Sequence, residues 1–371
     1  MSEKNWWIAS FLISIVFLGI LIGLWYERYY REKVFDEEIS AQLTNKTEVQ
    51  TFLKEKWEPK SGWLKEPTIQ VPTGLYVTSL KFLFANNVQV TGYLWQRYKP
   101  GLFDGKQGFI FSEAISGKNQ EIYRKPIGEE QIVLWHFETV LSQEFQYDDY
   151  PFDNKVVWIK IWANAWNRNV ILSPDLASYK ATGLKDIFGI NEDIVLGTWD
   201  RRDTYFNYHF DTYDTTFGNG PYVVTRSFPN LYYNIVLKRK FANAFIINLV
   251  PLFVVAVLLF GLVMMVGEKK KEQFGSSAFG TISSCAALFF TVMLPHIRLR
   301  EAFESVGIVY IEYFYFMMYF VIILVPLNTY LFSVGWPSRF GFIPYKDNLL
   351  PKVLFWPLFF GTMLVITLFA F

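Results

Sequence analysis

RKFANAFIINLVPLFVVAVLLFGLVMMVG (Arg239–Gly267), EKKKEQFG (Glu268–Gly275) and SSAFGTISSCAALFFTVMLP (Ser276–Pro295) follow one another without a break. Two apolar runs, each long enough to cross a bilayer at about 20 helical residues per crossing, flank a charged hairpin too short to hold a domain. Ala242–Gly267 carries no charge and is apolar on all sides. The second run is divided. Ser277, Gly280 or Thr281, Ser284, Leu288 and Thr291 recur at intervals of three or four, which places them on one helical face. Phe279, Ile282, Ala286, Phe289, Phe290 and Met293 take the opposite side. A membrane helix with such a stripe either packs on other helices through small residues or faces water.

Beyond this stretch the apolar residues, 52% of 371, are unevenly spread. They concentrate at Trp6–Tyr26, Ala242–Gly267, Ser277–Leu294, Val306–Phe332 and Val353–Phe371, five candidate spans. A mostly polar region of about two hundred residues separates the first from the second, room for one domain. The net charge of +1 leaves no basic footprint for nucleic acid. Cys285 is the sole cysteine, which excludes an internal disulfide and a cysteine-rich metal site. His136, His209 and His296 are scattered without ligand spacing, and an acidic group at Asp148, Asp149 and Asp153 fits a turn. With no glycine-rich phosphate loop and no nucleophile motif, neither an enzyme nor a cofactor is expected. A transporter fits poorly too, for want of inverted repeats and broken charged helices.

The first run reads either as a secretory signal or as a retained anchor. It exceeds a usual signal core, no small-x-small pattern follows it, and Trp6, Trp7, Trp25 and Tyr26 suit both interfaces, so an anchor is favoured. Arg28, Arg31 and Lys33 would hold its far end inside; the hairpin Lys269, Lys270 and Lys271 is the stronger cytoplasmic signal and places the polar region outside. Residues 34–66 are expected to be helical at their centre, with Leu43, Val49, Phe52 and Leu53 as the apolar side. From Pro67 to Lys240 short alternating stretches take over. TIQVPTGLYVTSLKFLF, VQVTGYLWQRY, GFIFSEAI, QIVLWHFETVL, KVVWIKIWA, DIVLGTWDRR, TYFNYHF and LYYNIVLKRK predict a β-sandwich of eight or more strands. The expected layout is therefore a transmembrane helix in 1–33, an immunoglobulin-like all-β sandwich in 34–240, extracellular or periplasmic, and four transmembrane helices in 241–371.

One segment of the sandwich is specific: QEFQYDDYPFDNKVV, Gln143–Val157. It resembles the signature loop of the pentameric ligand-gated ion channels, the Cys-loop receptor superfamily. There an aromatic-Pro-aromatic-Asp group stands seven to ten positions after one cysteine, with a second cysteine at fourteen. Tyr150, Pro151, Phe152 and Asp153 fall in that register, while Gln143 and Val157 replace the cysteines, as in prokaryotic members. Arg239 precedes Pro251 by twelve residues, which is similar to the start of the family's first pore-domain helix. Leu294-Pro295 is similar to the end of its pore-lining helix, and Pro251 and Pro295 are 44 positions apart, about the bacterial spacing. The resemblance covers roughly residues 67–371.

The resemblance implies a homopentamer in a bilayer, in a bacterium the inner membrane with the sandwich in the periplasm. It would conduct inorganic ions through a central pore and be opened by a small molecule, a proton or a divalent cation. Registering from Pro251 places Gln273, Ser277, Gly280, Ser284, Leu288 and Thr291 on the pore; registering from Pro295 gives Phe274, Ala278, Thr281 and Cys285 instead. The periodicity favours the polar set, with Leu288 as an apolar constriction that gates by dewetting. The family's large apolar residue near the helix middle is replaced here by Gly280-Thr281. Glu268, Lys269, Lys270, Lys271 and Glu272 would set the charge of the inner mouth, where carboxylates favour cations and lysines anions. Tyr150, Pro151, Phe152, Asp153, Arg239 and Arg298 are the implied coupling residues, with His296–Glu301 as a loop beneath Pro151 and Phe152. Trp95, Trp162 or Trp166, Tyr213, Phe217 and Tyr222 stand where the family lines its ligand site with aromatics, which suits amines; Asp200, Asp211 and Asp214 suit a divalent cation equally. A non-conducting pentameric receptor or scaffold on the same fold is the rival reading.

Overall fold

The computed structural model describes residues 2–31, 42–56, 69–101, 106–165, 170–184, 186–211, 214–215, 228–268, 278–303, 307–334, 343 and 345–371. Along the chain come helices α1 (Glu3–Tyr30) and α2 (Lys46–Lys56), then strands β1 (Ile69–Phe84), β2 (Asn87–Tyr98), β3 (Phe109–Phe111), β4 (Ala114–Ile127) and β5 (Glu130–Ser142). Strands β6 (Asn154–Ala163), β7 (Val170–Pro174), β8 (Trp199–Asp211) and β9 (Phe228–Arg239) follow. Helices α3 (Phe241–Met265), α4 (Ala278–Ala302), α5 (Glu312–Val334) and α6 (Leu349–Ala370) complete the chain. These elements form two compact units.

Lys33–Phe145 and Asn154–Arg239 make up the β-rich unit. A five-stranded sheet runs β4-β5-β2-β1-β7 and a four-stranded sheet β3-β6-β9-β8. All pairings are antiparallel except β1 with β7. Strand β2 shows why they pack: Val88, Val90, Leu94, Gln96 and Tyr98 turn inward at every second position, the period of a strand with one buried face. Rings join the sheets, with Phe111 5.0 Å from Phe137 and Phe109 5.6 Å from Trp135. Helix α2 buries Val49 and Leu53 and stacks Phe52 on Tyr208 at 5.4 Å, the expected apolar side. Two strands, β4 and β7, were not expected. Conversely, DIVL of DIVLGTWDRR is irregular, because Gly197 takes φ +60° and the strand begins only at Trp199.

Met1–Glu32, Gln146–Asp153 and Lys240–Phe371 make up the helical unit. Among the described residues five helices, α1, α3, α4, α5 and α6, are long and apolar enough to cross a membrane. Helix α3 supplies the inner packing through Leu252, Val255, Ala256 and Leu259. Helix α1 lies along α6: the Ser10 hydroxyl donates to the Val353 carbonyl, and a Cβ at Gly361 would sit 3.1 Å from the Phe17 ring. Helix α4 corrects the sequence reading. His296–Glu301, expected as a loop, is helical, and α4 crosses Pro295 to end at Ala302. Proline removes one backbone donor and favours an end to the helix, but the residues beyond it are held to α5. Arg300 pairs with Glu312 at 3.1 Å, and His296 Nδ1 lies 3.0 Å from the Tyr319 hydroxyl.

Candidate functional site

Helix α4 has three faces. Thr281, Cys285, Val292 and Leu299 are buried within the chain, and Leu288 stands half-buried at the edge of that face. Phe279, Ile282, Phe289, Phe290 and Ile297 form an exposed sector of large apolar groups, with Phe279 78% exposed. Gly280, Ser284 and Thr291 lie on the remaining exposed sector with Ser283 and Ala287. A helix turns 100° per residue, so Ser284, Thr291 and Arg298, seven apart, fall nearly in line. Arg298 is exposed and lies on the same sector. The two pore registers differ in their surroundings: Gly280, Ser284 and Thr291 are exposed, whereas Thr281 and Cys285 of the other register are buried. Gln273 and Ser277 lie outside the described residues, as do Lys269, Lys270, Lys271 and Glu272 of the expected inner mouth. Glu268 is described; its backbone N–H donates to Asp347 Oδ1 at 2.7 Å.

Gln146–Asp153 groups with the helices although strands precede and follow it in sequence. Its aromatics supply the contacts. Phe152 is buried, stacked on Phe241 at 4.9 Å, with Phe371 at 5.5 Å, Tyr310 at 6.1 Å and Trp25 at 6.4 Å. Tyr147 and Tyr150 each lie 4.9 Å from Phe303. The Tyr150–Pro151 peptide is cis, and Pro151 and Asp153 are buried. Polar bonds fix the same loop. Asn248 of α3 donates to the Tyr150 hydroxyl and accepts from that of Tyr315, each at 3.3 Å. The Tyr310 backbone N–H donates to the Asp148 carbonyl at 2.9 Å. Arg28 of α1 pairs with Asp149 at 2.7 Å, both side chains about five-sixths buried, and lies 4.9 Å from the Phe371 ring centre.

Within the helical unit this network extends further. The Trp25 indole donates to the Tyr310 hydroxyl at 2.7 Å, which also bonds the Thr367 hydroxyl. Arg239, in the β-rich unit, carries its guanidinium 4.1 Å from the Trp199 ring centre. Trp25 and Arg28 were read from the sequence only as flanking residues of the first span, and Asn248, Phe303, Tyr310 and Glu312 were not singled out. Asn248 and Glu312 had a signal to offer, since polar residues inside apolar runs are costly and mark internal contacts.

The aromatic ligand candidates are held by internal contacts where they are described. Trp95 donates its indole N–H to Asp175 at 2.9 Å and packs on Tyr179 at 5.6 Å; a Cβ at Gly74 would overlap its ring. Burial pushes the Asp175 carboxyl up, but bonds from Ser178, Arg97 and Trp95 outweigh it and hold the group below the usual carboxylate range. Trp162 faces an ammonium from its own chain: Lys160 Nζ lies 5.2 Å from its ring centre and 5.7 Å from that of Tyr232, paired with Asp211 and Glu113. Trp166, Tyr213, Phe217 and Tyr222 lie outside the described residues. Asp200 stands on β8, Asp211 at its end and Asp214 beyond it. Among the described residues no group of three or more His, Cys, Asp or Glu is placed to hold a metal ion. No family model matches the chain, and no curated protein matches it.

Proposed function

We propose that the chain is a subunit of a homopentameric ligand-gated ion channel, with an immunoglobulin-like sandwich outside the membrane and α4 lining the pore. The observation that carries this reading is the division of α4 into three faces. Within the chain Ser284 and Thr291 are exposed while Thr281 and Cys285 are covered, which supports the polar register. The Phe279–Phe290 sector suits lipid or a neighbouring subunit, and the small polar sector suits water. Five copies would close a ring through a heterologous interface. Leu288 would be its most apolar ring and the arginines at Arg298 its charged mouth.

The signature loop supports a route for gating. Its ends continue into β5 and β6, while its middle is held by α1, α3 and the segment before α5. An agonist shifts the channel only as far as it binds the open arrangement more tightly than the closed one. Current through the reconstituted full chain, recorded while pH, divalent cations and small amines are varied, tests the proposal. A gated current whose reversal potential follows an ion gradient is the expected result. Intact pentamers that stay silent under every condition would overturn it in favour of a non-conducting receptor.

A further inference from the structure

His296 stands on α4 just past Pro295, boxed in by α5. Its ring stacks on Tyr315 at 4.9 Å with 13° between the planes, and Phe316 and Tyr319 close two further sides at 5.5 and 5.7 Å. The two ring nitrogens are treated differently. Nδ1 is within a hydrogen bond of the Tyr319 hydroxyl at 3.0 Å. Nε2 is buried without a hydrogen bond, and it points to within 3.4 Å of Glu312 Oε1. Glu312 is itself 1% exposed, accepts from the Val309 backbone N–H at 2.8 Å and pairs with Arg300 at 3.1 Å. An imidazole nitrogen 3.4 Å from a buried carboxylate becomes its ion-pair partner when the ring takes up a proton.

We propose that His296 and Glu312 form a proton-binding site that ties α4 to α5 when occupied; as the agonist site of a channel it rests on the reading above. Neutral imidazole can carry its N–H at Nε2 toward Glu312 and accept from the Tyr319 hydroxyl at Nδ1; protonation adds a second N–H and a full positive charge beside the Glu312 carboxylate, and a charge-assisted contact is about twice as strong. Imidazolium donates to both, at Nδ1 to the Tyr319 oxygen and at Nε2 to the Glu312 carboxylate. Among the described residues the titratable or charged groups around the ring are Arg300 on its own helix and Glu312, Tyr315 and Tyr319 on α5. Helix α3 carries no charged residue, and its Asn248 reaches the cluster only through the Tyr315 hydroxyl. That last bond gives the site an outlet, because Asn248 also donates to Tyr150 of the signature loop. A proton taken up at His296 therefore acts two side chains, Tyr315 and Asn248, away from the loop proposed to carry gating.

Hydrogen–deuterium exchange of the full chain in lipid nanodiscs tests the site without needing a current. Rates corrected for intrinsic exchange are compared at pH 8 and pH 5 for the wild type, His296→Gln, Glu312→Gln and, as a control, His136→Gln. Peptides spanning the end of α4 and the start of α5 should exchange about tenfold more slowly at pH 5 in the wild type and the control. Either site variant should abolish that difference. No slowing in the wild type, or slowing retained in a folded site variant, overturns the proposal. A His296-dependent change with no current at any pH keeps the proton site and removes the channel. A gated current with exchange indifferent to His296 does the reverse.

Discussion

Removing Arg28 or Asp149 should loosen the signature loop from the helices. The pair is bonded at 2.7 Å with side chains 15% and 16% exposed, so water replaces little of what either loses. Breaking a buried ion pair from one side costs about 3–5 kcal/mol, and the residual exposure here points to the lower end, about 3 kcal/mol. Arg28→Ala also gives up the face of Phe371 at 4.9 Å, about 0.5–1 kcal/mol more. At about 2–4 °C per kcal/mol for a unit of 150–250 residues, Asp149→Ala should lower the melting temperature by roughly 6–12 °C and Arg28→Ala by roughly 7–16 °C. Cys285, 2% exposed on α4, supplies the assay: a thiol-reactive dye reports its exposure as the helices open. Arg28→Ala, Asp149→Ala and the double variant form a cycle with an expected coupling of about 1–3 kcal/mol. A coupling below about 0.5 kcal/mol would refute the idea that this pair holds the loop.

Asn248→Ala removes the amide between the Tyr150 and Tyr315 hydroxyls and should cost about 1–3 kcal/mol in the same melt; an unchanged melting temperature would count against the bridge. Asp175 gives a pH signature. Its carboxyl is held below the usual range in the fold, so its contribution is complete above the unfolded value near about 4 and is lost as pH falls through the lowered one. Tryptophan fluorescence melts of the full chain should therefore show the wild type's advantage over Asp175→Asn shrinking below about pH 4; an advantage growing in acid would reverse the sign and the reasoning. Arg298→Glu, on the exposed sector with Ser284 and Thr291, should move the reversal potential toward that for cations, whereas no shift would place Arg298 away from the ion path. Purified particles should show five-fold symmetry by electron microscopy; dimers or tetramers would remove the pentamer.

The five apolar helices were legible because hydropathy is local and additive, and α2 because its buried side recurs at helical spacing. Strand β4 was not: all fourteen of its residues are exposed, so no burial imposed an alternation on Ala114–Ile127. DIVL looked like a strand because β-branched residues cluster there, but the left-handed turn at Gly197 follows from geometry that the pattern does not carry. The end of α4 was misjudged for a related reason. Proline is a local stop signal, and the contacts that override it, from His296 and Arg300 to Glu312, join residues twelve to sixteen apart on different helices. Arg28 and Asp149 lie 121 positions apart, beyond any periodicity. The stripe on α4 was readable as a stripe, while which of its two registers is covered depended on the packing of Thr281 and Cys285.

The central claim is that the polar sector of α4 faces an ion path. Ser284→Cys in a Cys285→Ala background, treated with a charged methanethiosulfonate reagent during recording from the reconstituted full chain, tests it most directly. The account predicts a gated current that the reagent blocks irreversibly, with no block of the Cys285→Ala parent. A gated current that continues unchanged after complete modification of the introduced thiol would contradict it.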